Sequence, residues 1–178
     1  EKKEQIQFKN CIIASGSTAA MLPNLPLDHP LVLTSKTALD LDDVPGSLLI
    51  IGGGIIGLEL GQVYSTLGTD VSVVEYMPSL IPGADDDIAK PLIRKLKKHF
   101  KSIMLSSKVS NVDVGFEEGV RVSIECGNET KDQVYDKILV SVGRKPNTDL
   151  LSLENTDIKT DGKGFIIVDD YQKTSVKG

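Results

Sequence analysis

Apolar residues in this chain come in two rhythms. Leu48-Leu49-Ile50-Ile51 is an unbroken run of strand length and 137–142 a mostly apolar one around Ile138-Leu139-Val140, the pattern of parallel strands covered on both faces. Elsewhere an apolar residue returns every third or fourth position. Over 55–67 this happens at Ile56, Leu60, Val63 and Leu67. In a stretch opening at Asp85-Asp86-Asp87 it happens at Ile88, Leu92 or Ile93, Leu96 and Phe100. Both predict helices with those residues inward. Gly68 stands where a C-terminal glycine cap belongs. Acids at the start of the second helix and Lys95, Lys97 and Lys98 near its end suit the helix dipole, and Pro91 is read as lying near the first turn. With strands over 70–75 and 102–105, the order becomes strand, helix, strand, helix, strand. A βαβαβ unit with right-handed crossovers is expected.

Other segments alternate instead. The stretches 108–113, 119–125 and 133–135, separated by Gly115 and by Gly127-Asn128, predict an antiparallel meander. Cys11-Ile12-Ile13-Ala14 reads as a strand ending in the tight turn Ser15-Gly16-Ser17. One more strand is expected over 165–168, after the turn Asp161-Gly162-Lys163-Gly164. Pro23, Pro26 and Pro30 forbid a long helix over 21–33, which reads as a linker between domains. A short helix fits 34–41, and Pro45-Gly46 is a turn signal. The opening residues 1–9 are polar and alternating, and 174–178 reads as an unfinished segment.

Composition narrows the function classes. At 40% hydrophobic and 25% charged, the 178 residues can bury a core as one domain of ordinary size. A net charge of −5 argues against nucleic acid as the main partner. No apolar run approaches the roughly 20 residues of a membrane span, and no signal peptide opens the chain. Cys11 and Cys126 form neither a C-x-x-C pair nor a metal cluster, so a reduced, cytoplasmic setting is expected.

The candidate chemistry begins at Gly52-x-Gly54-x-x-Gly57. This pattern alone is weak, but here it follows a buried strand, opens a helix and has an acid at the end of the next strand. Gly52 would make the tight turn, Gly54 would let the backbone approach a pyrophosphate, and Gly57 would let helix and strand pack closely. The N–H groups around Gly53, Ile55 and Ile56 and the positive helix end would hold the diphosphate. Glu75 sits at the spacing of the acid that accepts hydrogen bonds from an adenosine ribose, which favours NAD over NADP. The following Tyr76-Met77-Pro78 offers no arginine for a 2′-phosphate. Glu59, in the second turn of the helix amid apolar neighbours, is either an acid suited to a helix N-terminus or a carboxylate aimed at the nicotinamide end. Arg144 follows a buried strand, where ligands of α/β sheets gather. Lys145 reads as a solvated charge, and His29 and His99 read as structural or exposed.

Three separated motifs resemble the flavin-dependent pyridine nucleotide–disulfide oxidoreductases: CIIASGS from Cys11, IIGGGIIGLELG from Ile50 and SVGRKPN from Ser141. Within that family the chain is most similar to the branch that oxidises dihydrolipoamide with NAD. The resemblance implies a Rossmann-like, three-layer α/β NAD-binding domain over 41–168, with a central parallel sheet and an antiparallel meander. Flavin-domain flanks would occupy 1–40 and 169–178. Gly52 through Gly57 would wrap the NAD diphosphate, Glu75 with Tyr76 would meet the adenine ribose, and Val109 would border the adenine. Val142, Gly143 and Arg144 would approach the nicotinamide side, where Glu59 would pair with a flavin-domain lysine. The resemblance also implies FAD in a longer parent that is a homodimer within a 2-oxoacid dehydrogenase complex. The family's flavin-binding glycine turn, redox cysteine pair and catalytic histidine have no match in these residues, so the chain alone is expected to be inactive. A sibling reductase acting on glutathione or mercuric ion, and a non-catalytic NAD-binding module, are the other readings.

Overall fold

A computed structural model describes residues 4–20, 22–23, 25–26 and 28–177. Its strands are β1 (Ser17–Ala19), β2 (Val32–Thr34), β3 (Ser47–Ile51), β4 (Asp70–Val74), β5 (Ser102–Met104), β6 (Ser107–Asp113), β7 (Val120–Cys126), β8 (Glu129–Tyr135), β9 (Lys137–Val140) and β10 (Arg144–Pro146). The helices are α1 (Ile55–Thr66) and α2 (Asp86–His99), with 3-10 turns at Thr37–Leu39 and Leu153–Asn155. The chain forms two compact units. One is Ala19–Gly143; the other is drawn from the described residues of Glu1–Thr18 and Arg144–Gly178.

In the Ala19–Gly143 unit a parallel sheet runs in the order β2-β9-β3-β4-β5. Residues of β3 alternate between two cores, as a strand covered on both faces must. Leu48 and Ile50 join Leu58, Tyr64, Leu96 and Phe100 on the helix side. Leu49 and Ile51 join Val120, Val122, Ile124 and Tyr135 on the meander side. The meander is antiparallel, order β6-β7-β8. Helices, parallel sheet and meander are therefore three layers, and the α/β class holds.

Helix α1 ends as Gly68 foretold. Gly68 adopts φ 105°, its N–H donates to the Ser65 carbonyl at 3.2 Å, and the Thr69 N–H donates to the Tyr64 carbonyl at 3.0 Å. This is a Schellman closure. A Cβ on Gly68 would meet nothing within 4 Å, so only the backbone conformation demands glycine. Gly68→Ala is expected to cost about 1–2 kcal/mol in urea unfolding, with the fold retained.

Several expectations need correction. In α1 the buried positions are Gly57, Leu58, Leu60, Gly61 and Tyr64, whereas Val63 and Leu67 are exposed. Two small glycines let the helix approach the sheet along their own face, which turns those side chains outward. Ile88 of α2 is also exposed, and Ala89 and Leu96 are the buried residues. Pro91 lies inside α2, at its sixth residue, rather than in the first turn.

Within 21–33, Met21, Asn24 and Leu27 lie outside the described residues, as do residues 1–3 and Gly178 at the ends. The described part of 21–33 is not a bare linker. Leu22, Leu25 and Leu31 pack on the meander-side core, and Val32 and Leu33 begin the edge strand β2. The short helix expected over 34–41 is the single 3-10 turn Thr37–Leu39.

In the other unit, β1 pairs with β10. Cys11-Ile12-Ile13-Ala14 forms no strand, and Ile12 is 92% exposed. An apolar run becomes a strand only where another edge completes its hydrogen bonds, and among the described residues none pairs with it. The stretch 165–168 contributes only an isolated bridge, Thr160 to Ile166. Its turn is as expected: the Asp161 carboxylate accepts the N–H groups of Lys163 and Phe165. Both cysteines are exposed and free. Among the described residues no helix is long and apolar enough to cross a membrane.

Candidate functional site

The strands β3, β4 and β9 are in register, with Ile51 opposite both Val74 and Val140. The residues that follow them, Gly52, Glu75 and Ser141, therefore emerge side by side at one end of the sheet. The chain order reverses at this point. From β3 it passes through α1 to β4 on one side, while β9 lies on the other. A crevice at such a reversal is where ligands of open α/β sheets collect.

The glycines of the turn have different physical reasons. At Gly52, φ is 109° and a Cβ would lie 2.5 Å from the Ser141 carbonyl oxygen. Gly53 donates its N–H to Glu75 Oε2 at 2.6 Å and accepts the Ile81 N–H at 2.9 Å; a Cβ there would lie 2.4 Å from Leu80. A Cβ on Gly57 would lie 2.5 Å from both the Gly52 carbonyl oxygen and Ser141 Oγ. Gly54 is unlike the rest. It is the N-cap of α1 with φ −77° and ψ 177°, and a Cβ on it would meet nothing within 4 Å. The protein itself requires the other three; the space over Gly54 is left open.

That space faces the start of α1. The N–H groups of Ile55, Ile56 and Gly57 have no carbonyl within the helix to bond, and among the described residues no side chain is seen to cap them. Together with the positive end of the helix they make a surface whose partial charges suit an anion. Ile55 is exposed at its edge, while Ile56 is half-buried against the helix-side core.

Glu75 is buried, at 7% exposure, and both its oxygens are engaged: Oε2 by Gly53 and Oε1 by the Met77 N–H at 2.6 Å. The carboxylate thus shapes the turn, a task the spacing argument did not foresee. Each oxygen keeps a lone pair that could accept a further hydrogen bond. Glu75→Ala strands two donors and is expected to cost about 3 kcal/mol of stability. Glu75→Gln, which keeps one acceptor oxygen, should cost less than half of that in the same urea titration.

Sequence reasoning also missed Ser141 and the loop at Leu80-Ile81. The Ser141 hydroxyl donates toward the carbonyls of Ile51 and Gly52 at 3.2 and 3.1 Å, tying the end of β9 to the turn. Its signal was its place as first residue of SVGRKPN. Leu80, fully buried, packs over Gly53. Nothing in the sequence pattern distinguished it from loop.

Among the other candidates, Tyr76 is exposed beside Glu75, and Val142 and Gly143 are exposed just after Ser141. Val109 is half-buried against the meander-side core. Glu59 has apolar neighbours in sequence, yet it is exposed, on a face of α1 shared with Ile55 and Val63. Arg144 belongs to the other unit. There its Nε donates to Ser17 Oγ at 2.6 Å and its Nη2 to the Ser17 carbonyl. Asn147 reinforces this pairing by donating to the carbonyls of Gly16 and Ser15. Lys145 is an exposed charge paired with Asp149. His29 accepts the Leu31 N–H on Nδ1 at 3.3 Å, and His99 is exposed.

The sequence profile described as "Pyridine nucleotide-disulphide oxidoreductase" matches residues 1–178. The chain belongs to this family. Pyridine nucleotide-disulphide oxidoreductases similar to it include the dihydrolipoyl dehydrogenase of Vibrio cholerae serotype O1. That protein is 43% identical over 178 residues, which cover 99% of this chain and 37% of the relative. Among solved structures, LpdA from Mycobacterium tuberculosis superposes with a TM-score of 0.80 at 26% identity, covering 92% of this chain and 35% of that one. The water-forming NADH oxidase from Lactobacillus brevis, bound to NADH, gives 0.73 at 26% identity, covering 90% and 36%. The chain spans little more than a third of each. A flavoprotein disulfide reductase from Escherichia coli is also similar in structure, with a TM-score of 0.76 at 28% identity, covering 92% of this chain and 37% of that one.

Proposed function

We propose that this chain is the NAD-binding part of a dihydrolipoyl dehydrogenase. Residues 41–168 would form the NAD domain, completed at its sheet edge by the strand at Val32–Thr34, with the rest of 1–40 and 169–178 as flanks belonging to the flavin side. The observation that carries the reading is the cradle at Gly54: open space at an uncapped helix N-terminus, at the reversal between β3 and β9, with Glu75 behind it.

In this reading Gly52, Gly53, Gly54, Ile55, Ile56 and Gly57 hold the diphosphate, and Glu75 takes the adenosine ribose. Tyr76 lies with Glu75 at the ribose, and Val109 borders the adenine. Val142 and Gly143 point toward the nicotinamide, and Glu59, exposed one turn along α1, awaits a lysine of the flavin domain. Arg144, whose Nε and Nη2 hold Ser17, would approach the same nicotinamide side. FAD, bound elsewhere in the longer parent, would relay electrons from a dithiol to NAD. The parent would be a homodimer serving a 2-oxoacid dehydrogenase complex. Two exposed cysteines without a disulfide fit a reducing compartment, and we place the protein in the cytoplasm.

Calorimetric titration with NAD and NADP tests the proposal. Binding of NAD in preference to NADP is expected, with no lipoamide-dependent reduction of NAD by the 178 residues alone. A preference for NADP would point to a sibling reductase acting on glutathione or mercuric ion. Absence of any dinucleotide binding would leave a structural module.

A further inference from the structure

A cation that holds a 2′-phosphate is usually sought just after the ribose acid, and Tyr76-Met77-Pro78 contains none. The fold brings one from another element. After β5 the chain doubles back: the Ser106 N–H donates to the Met77 carbonyl at 3.1 Å and the Ser107 N–H to the Glu75 carbonyl at 3.0 Å. Strand β6 therefore departs from the residues that follow the ribose acid, and Lys108 is its next residue. Lys108 and Glu125 are register partners across β6 and β7, with Nζ 2.8 Å from Glu125 Oε2. The hydrogen bond and then the charge of Glu125 raise the Lys108 pKa. Glu125 is held low in turn by Lys108 first and by the Ser110 hydroxyl.

Both side chains keep substantial exposure, 57% for Lys108 and 33% for Glu125. Such a pair contributes little to stability. Its electrostatic effect on a neighbour is another matter, because Glu125 cancels the only charge Lys108 could offer to a ligand beside Tyr76. We propose that Glu125 is a specificity-determining residue that acts through Lys108. By occupying that ammonium it withholds the cation that would accept a phosphate on the adenosine 2′-hydroxyl, and so reinforces the choice of the unphosphorylated dinucleotide. The proposal rests on the reading that Glu75 faces the adenosine ribose. Glu75 then repels a 2′-phosphate directly, while Glu125 removes what would attract it.

The test measures binding of ADP-ribose and of 2′-phospho-ADP-ribose to the full chain by calorimetry. For Glu125→Gln, the ratio of the two affinities is expected to shift by roughly fivefold toward the phosphorylated ligand, with ADP-ribose binding unchanged. Selectivity should narrow without inverting, because Glu75 still repels. Adding Lys108→Met to that variant should restore the original ratio. An unchanged ratio in Glu125→Gln, or a shift that survives the loss of Lys108, overturns the proposal while leaving the NAD reading intact. Failure of the unaltered chain to bind ADP-ribose overturns both. A merely structural role for the pair would lower both affinities together and leave their ratio fixed, which also counts against it.

Discussion

A chain carrying Gly54→Ala is expected to unfold in urea within about 1 kcal/mol of the parent and to lose dinucleotide affinity ten- to a hundredfold. The fold has no need of glycine there. Its φ and ψ suit any residue, and the added methyl group meets nothing within 4 Å. Alanine is a poorer N-cap than glycine, which accounts for the small stability cost. A bound diphosphate would lie against the helix N-terminus in just this space, so the methyl group would push it off the N–H groups that hold it. Each tenfold loss corresponds to about 1.4 kcal/mol of binding free energy, a modest displacement for a charged group. Full NAD affinity in this variant would remove the observation on which the functional reading stands.

Gly57→Ala should show the opposite separation, failing in the fold before any ligand is added. Alanine gains about 1 kcal/mol over glycine in helix propensity. Against this, the Cβ would sit 2.5 Å from the Gly52 carbonyl oxygen and 2.5 Å from Ser141 Oγ, with Ile50 Cγ2 at 2.9 Å. A serine hydroxyl can rotate away; a backbone carbonyl at the tip of the turn cannot. Helix α1 must then lift from β3, and a net loss of about 2–3 kcal/mol is expected. That is a large share of the 5–15 kcal/mol typical of a domain. Equilibrium urea unfolding measures it directly, and a variant as stable as the parent would mean that helix and strand do not pack as described.

Comparing these two glycines shows what was legible beforehand. The strand-turn-helix pattern, the acid after β4 and the meander were all readable, because each depends on a local rhythm or a fixed spacing. Helix α1 was readable as a helix but not in its rotation, since the pattern gave weight to Val63 and Leu67 while Gly57 and Gly61 decided which side could approach the sheet. Strand β2 was hidden because Val32 and Leu33 sit next to prolines, and only their pairing with β9 over a hundred residues away makes them a strand. The site divides along the same line. The glycines and the acid follow from spacing, whereas Ser141 and Leu80 reach the turn through tertiary contacts that no window along the chain contains. Arg144 lies in a turn that the sequence pattern also singled out, and its Nε and Nη2 engage Ser17, a contact that no window along the chain contains.

The double engagement of Gly53 has one further consequence. Its N–H is held by Glu75 and its carbonyl by Ile81, with Leu80 closing over it. The peptide planes on either side of that residue therefore have no rotational freedom left to surrender when a ligand arrives. Binding at such a turn carries little ordering entropy, so association should follow a single encounter step without a slow rearrangement. Stopped-flow traces of nucleotide binding would then be single exponentials whose rate rises linearly with ligand concentration.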